Sequence, residues 1–339
     1  MRILYIPVTK KITEKNIKNY FKCFLYDIYI ILKNFSFNRK STNSTSGYID
    51  SAIHSNAYTF ELPYSYCIIF SKIINLLFDG IFVNWKFTNY RNDLNDLELK
   101  LIQVSKKFKI KKVIVDATDK SVNKIKNDIL EGFDYVIKRE KNKSISDKKY
   151  LTTMLPCKLI EYKISKKKEN INWNKIGRSR ANDKFKYDIF FSGQQSSNYR
   201  YELIEFIKSQ NFNFYGGVEN SQIPYYQYLD TIYNSSINLA LEGKGEFTFR
   251  HLEILASCSF MICENSINQL ELPLPLKEGK HFVSFEDKED LLEKINFYLR
   301  NEKLRLDIAL NGRTILEEYY SPKKHGEIIM KKIFFKPQI

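Results

Sequence analysis

Short apolar runs and longer one-sided amphipathic runs alternate along this chain. Residues 3–8, 78–84, 112–116 and 133–138 are brief, β-branched and bounded by polar residues, as buried strands are. Residues 93–108 and 121–130 fall between the last three and are polar on one side, which predicts helices. Strand and helix in turn predict βαβ units and a parallel sheet. From residue 163 to 186 the chain is charged, Asn-rich and without apolar periodicity, as a linker is. The alternation then restarts. Strands are expected at 187–192, 213–215, 236–241, 259–263 and 280–285, and helices at 199–209, 224–233, 249–256, 288–300 and 302–320. Ser321-Pro322 opens a last helix with a cap and a first-turn proline. The predicted fold class is α/β, with two Rossmann-like doubly wound domains. The expected boundaries are 1–165, a linker at 166–186, 187–320, and a final helix at 321–339.

The segment 236–263 carries the most chemistry. Two short apolar strands flank a loop with Gly243 and Gly245, then a helix headed by Thr248 at the N-cap position. A helix N-terminus after such a loop offers free N–H groups and a positive dipole end to an anion. Arg250 lies in the first turn, and Glu253 follows three residues later on the same face. A cation beside a carboxylate suits a nucleotide diphosphate and its ribose hydroxyls. The competing reading is a capped helix with an Arg–Glu surface pair. A second loop, Ser192-Gly193 to Arg200, also follows a strand and opens a helix. Its backbone amides could hold a phosphate with Arg200 as charge partner, or it could be an ordinary connection. Ligands gather at strand carboxyl ends in open α/β sheets, so the two loops support one another.

Charge and cysteines narrow the class. The net charge of +15 calls for an acidic partner. Lys, Ile and Asn are used heavily throughout, and there is no Arg-rich block, so nucleic acid is not expected. Lys166-Lys-Lys168 suits an anionic membrane surface better. Five scattered cysteines without C-x-x-C spacing suggest a reducing compartment. Asp27 interrupts the apolar stretch 21–32, and Lys72 and Asp79 interrupt 64–83, so neither reads as a membrane span. The expected location is cytoplasmic, peripheral at the inner face of the membrane.

Three stretches together resemble the C-terminal half of GT-B-type glycosyltransferases, bacterial family 1/family 4-like or exostosin-like, over residues 187–333. They are Tyr226-x-Tyr228-Leu-x-x-Ile-x-x-Ser235-Ser-Ile-Asn-Leu, Phe249-Arg250-x-x-Glu253-x-Leu-Ala256, and the run from Leu274 to Ser284. The resemblance implies two domains facing each other across a cleft, the final helix returning to the first. It implies a nucleotide-sugar donor in the second domain and a glycan, lipid-linked or protein acceptor at the first. Glu253 would bond the ribose. Arg250, Lys244 and Arg200 would neutralise the diphosphate beside Gly193, and Gly216 with Gly217 would approach the base. Glu246 and Glu253 have six residues between them, one fewer than the family 4 carboxylate pair, so Glu246 does not inherit the first role.

In the first half, Asp116 or Asp119 could serve as acceptor base, with Lys138 or Arg139 near substrate charge. The alternative is a strand-end aspartate capping the next helix. His251 is the one histidine in the phosphate-facing turn. No Asp-x-Asp, G-x-G-x-x-G, Walker A or G-x-S-x-G motif occurs, which disfavours GT-A transferases, dehydrogenases, P-loop enzymes and elbow hydrolases. The expectation is a metal-independent transferase without a cofactor. The alternatives are a catalytically silent nucleotide-sugar or glycan binder, and, third, a basic nucleic-acid-binding α/β protein.

Overall fold

The computed structural model describes residues 2–6, 58–84, 94–116, 121–122, 125–155, 185–218 and 223–335. Asp119, Lys166–Lys168, the apolar run 21–32 and residues 166–184 of the expected linker lie outside them. The chain divides into two compact units, Met1–Leu155 with Ser321–Ile339, and Pro156–Tyr320.

In unit 1 the elements are β1 (Arg2–Ile6), β2 (Tyr58–Glu61), α1 (Tyr64–Ile69), α2 (Ser71–Leu77), β3 (Gly80–Asn84), α3 (Leu94–Lys107), β4 (Lys111–Asp116), the single turn α4 (Asn127–Leu130), β5 (Tyr135–Lys138) and β6 (Tyr150–Thr152). Their sheet is parallel, in the order β2-β1-β3-β4-β5-β6. The apolar stretch 64–83 is thus two helices and a strand. The helix expected over 121–130 shrinks to α4, because Lys126 takes an extended ψ of 141° immediately before it.

Strand side chains alternate between two layers, as the pleat requires. Leu4, Val83 and Ile114 pack with Leu101, Val104 and Phe108 of the α3 region. Ile3, Phe82 and Val115 pack with Ile329, Met330 and Ile333. The latter three belong to α10 (Pro322–Phe334), which begins where Ser321 accepts the Lys324 N–H. The final helix therefore returns to the first unit. Phe334 stacks on Phe82 at 6.3 Å, and the Tyr135 hydroxyl donates to the Lys332 carbonyl at 2.9 Å.

Unit 2 contains β7 (Tyr187–Ser192), α5 (Asn198–Lys208), β8 (Phe214–Gly217), α6 (Tyr225–Tyr233), β9 (Ser235–Ala240), α7 (Phe249–Ala256), β10 (Met261–Glu264), β11 (Val283–Phe285), α8 (Lys288–Arg300) and α9 (Glu302–Tyr319). The strands are parallel in the order β8-β7-β9-β10-β11. Both sheets are doubly wound, with the strand order reversing between the first and third strands. In unit 2 that switch point lies between β7 and β9, where connections leave to opposite faces and open a crevice at the carboxyl ends.

Candidate functional site

Four elements of unit 2 meet at this crevice, and the fully buried Phe191 ring of β7 is their hub. The Arg250 guanidinium lies over the ring, 4.4 Å from its centroid, and that of Arg200 lies 5.4 Å away. Arg250 Nη2 donates to the Ser192 carbonyl. A Cβ at Gly193 would come within 2.8 Å of Arg250 Nη2, so a larger residue at this strand end would displace the guanidinium. Gly216 has φ of +101°, and a Cβ there would sit 1.9 Å from the Phe191 carbonyl oxygen. The Gly193 N–H donates to Gly217 O at 3.1 Å, which joins the two strand ends.

Arg200 is buried and already engaged. Its Nη1 donates to Gln194 O at 2.8 Å and its Nη2 to Leu241 O at 2.9 Å, one carbonyl from each loop flanking the switch point. Its backbone N–H is capped by Ser197 Oγ at 3.1 Å. Burial, then the neighbouring Arg250 charge, pushes its pKa down to about 10. Arg200 is therefore a brace between loops. Arg250 has partners of another kind: a carbonyl, a ring and the Tyr228 hydroxyl, none of them an anion. Its Nε is buried without a hydrogen-bond partner.

Glu253, one turn along α7, is gripped from α6. The Tyr225 hydroxyl donates to Oε1 at 2.9 Å and the Tyr228 hydroxyl to Oε2 at 3.0 Å. The two rings stack, 6.1 Å between centroids. Burial raises the Tyr228 pKa; Arg250 opposes the shift and Glu253 adds to it, so the phenol stays protonated between cation and carboxylate. Of the two, only Tyr228 belonged to the family pattern in the sequence, whose other tyrosine is Tyr226, and nothing there signalled that either orients a carboxylate.

Thr248 is the N-cap of α7, as its sequence position suggested. His251 is buried, and its Nδ1 accepts the Thr248 N–H at 3.1 Å, which makes it a capping residue. Lys244 is exposed on the same loop. Glu264, at the carboxyl end of β10, was missed. Its Oε2 accepts the Glu242 N–H, and burial foremost, with the Glu242 charge adding, raises its pKa to about 7. A glutamate closing an apolar strand was the available signal. Among the described residues, no three His, Cys, Asp or Glu side chains are gathered so as to hold a metal ion.

Residues 200–331 match the family model Glyco_trans_1_2, described as glycosyl transferase-like. Over those residues the chain is similar to glycosyl transferases. Its fold is that of GT-B glycosyltransferases. The lipopolysaccharide outer core galactosyltransferase WaaB, in its apo form, is 12% identical with a TM-score of 0.53, covering 98% of this chain and 99% of that one. Anabaena Alr3699/HepE in complex with UDP is 10% identical with a TM-score of 0.52, again over 98% and 99%. No curated protein matches the chain.

Two of the residues expected near an acceptor lie at the carboxyl ends of unit 1 strands. Asp116 ends β4 in register with Lys138 of β5, and the two form a buried ion pair at 2.6 Å. Arg139 Nη2 lies 2.5 Å from Glu140 Oε1. Asp116, Lys138 and Arg139 are thus each paired with an opposite charge. Among the described residues, no helix is long and apolar enough to cross a membrane.

Proposed function

We propose that the chain transfers a sugar from a nucleoside-diphosphate-sugar to a glycan, lipid-linked or protein acceptor, without a metal. One observation carries the reading. At the switch point of unit 2, Glu253 is fixed by two tyrosine hydroxyls one turn from Arg250, whose partners leave its charge uncompensated. A carboxylate so held suits ribose hydroxyls, and a guanidinium over a helix N-terminus suits a diphosphate. As the anomeric bond breaks, negative charge grows on the departing nucleoside diphosphate. Arg250 and the first-turn amides of α7 are placed to stabilise it before it forms. Gly193 and Gly216 let the backbone approach closely. Arg200 supports the site by bracing its loops. The UDP held by the HepE relative makes uridine donors the first to try. Asp116 could act as acceptor base only if Lys138 withdraws from it.

The test is donor turnover with and without glycan acceptors. Wild-type chain should release nucleoside diphosphate from one member of a nucleotide-sugar panel, and a chelator should not change the rate. Glu253→Gln should weaken donor binding about 10-fold or more, since a hydrogen bond to a charged group contributes about 1.5–3 kcal/mol. Turnover unaffected by Glu253→Gln would refute the placement. Donor binding with no turnover on any acceptor would favour the silent binder instead.

A further inference from the structure

Unit 1 carries a surface that the donor site does not use. Ile69, Phe70, Ile73, Leu76 and Leu77 are 71, 46, 52, 82 and 48% exposed. Five such side chains within residues 69–77 form one face of the α1–α2 pair, while Cys67, Ser71 and Ile74 turn into the core. Scattered exposed apolar residues are ordinary, but a contiguous set marks an interaction surface.

Basic side chains border this face. α3 runs alongside, fixed by Asn75 Nδ2 donating to Lys107 O at 3.1 Å and by the Lys109 N–H donating to Asn75 Oδ1 at 2.9 Å. Leu99 on α3 is 66% exposed, and Lys72, Lys106, Lys107 and Lys109 are all exposed. Two described acidic groups nearby are engaged elsewhere. Asp79 accepts the Arg2 N–H at 2.6 Å, and Glu98 pairs with Lys126 at 2.8 Å.

Apolar side chains bordered by lysines match the chemistry of an anionic bilayer surface. There the apolar groups enter the acyl boundary and the ammonium groups meet lipid phosphates. We infer that the α1–α2 face, with Lys72 of α2 and the lysines at the end of α3, docks unit 1 on anionic membrane lipid. The inference does not depend on the glycosyltransferase reading.

Co-sedimentation of the full chain with phosphatidylcholine vesicles, with and without phosphatidylglycerol, tests it. Wild type should bind the phosphatidylglycerol vesicles, release with added salt, and bind pure phosphatidylcholine weakly. Leu76→Asp with Ile73→Asp should abolish binding, while circular dichroism and thermal midpoint stay as in wild type. Lys106→Gln and Lys107→Gln should each weaken it about five-fold. Equal binding by all variants, or none by wild type, would overturn the inference. So would a dimer that Leu76→Asp dissociates, which would place a second copy on the face. A Leu76→Asp chain that is less stable without ever binding vesicles would place the chain's own residues there.

Discussion

Replacing Arg200 with methionine separates a brace from a ligand. The side chain is buried, and its two terminal nitrogens satisfy the carbonyls of Gln194 and Leu241. Methionine keeps much of the aliphatic volume but donates nothing. The buried Leu241 carbonyl left without a donor costs about 1–3 kcal/mol, whereas Gln194 is exposed and its carbonyl can turn to water. Removing a buried charge that Arg250 repels returns part of this, leaving a net loss of about 1 kcal/mol or more. The assay is urea unfolding followed by circular dichroism, comparing midpoints at constant slope. Arg200→Lys should lose nearly as much, because one ammonium cannot reach two carbonyls in a fixed fork. A loss below about 0.5 kcal/mol for Arg200→Met, within the range of surface substitutions, would refute the reasoning. Full nucleotide affinity in Arg200→Lys, with affinity lost only in Arg200→Met, would make Arg200 a charge ligand after all.

Gly216→Ala should destabilise unit 2 by at least about 2 kcal/mol, because the added methyl meets backbone at a left-handed φ. Gly279→Ala, at φ +71° in open space, should cost only about 1 kcal/mol, and thermal midpoints compare the two. Glu264, with its pKa raised from 4.5 to about 7, is expected to make stability pH-dependent. The folded chain holds this proton more tightly than the unfolded chain. The contribution is therefore complete below about pH 4.5 and lost as pH rises to 7. Thermal midpoints across that window should fall less steeply in Glu264→Gln than in wild type; parallel profiles would contradict the assignment.

The fold was legible because parallel strands buried on both faces read as bare apolar runs, as residues 112–116 and 236–241 do. Ser321-Pro322 announced the last helix from local capping chemistry alone. The site was legible in kind rather than in roles. Sequence spacing placed Arg200, Arg250 and Glu253 at strand ends or helix starts. It could not tell a guanidinium locked on carbonyls from one lying on a ring. Those roles depend on contacts over long sequence separations, such as Arg200 to Leu241 and Tyr228 to Glu253. His251 likewise looked phosphate-facing until its ring proved to cap the helix that carries it. The ion pair of Asp116 with Lys138 was hidden because strand register decides it.

Calorimetric titration of wild type and Arg250→Ala with nucleoside diphosphates, UDP first, tests the donor site most directly. The expected result is one site on wild type for at least one diphosphate, with affinity reduced about 10-fold or more in Arg250→Ala, the loss of a charged hydrogen-bonding partner. No binding of any nucleoside diphosphate to wild type, or equal binding to both chains, would contradict the account.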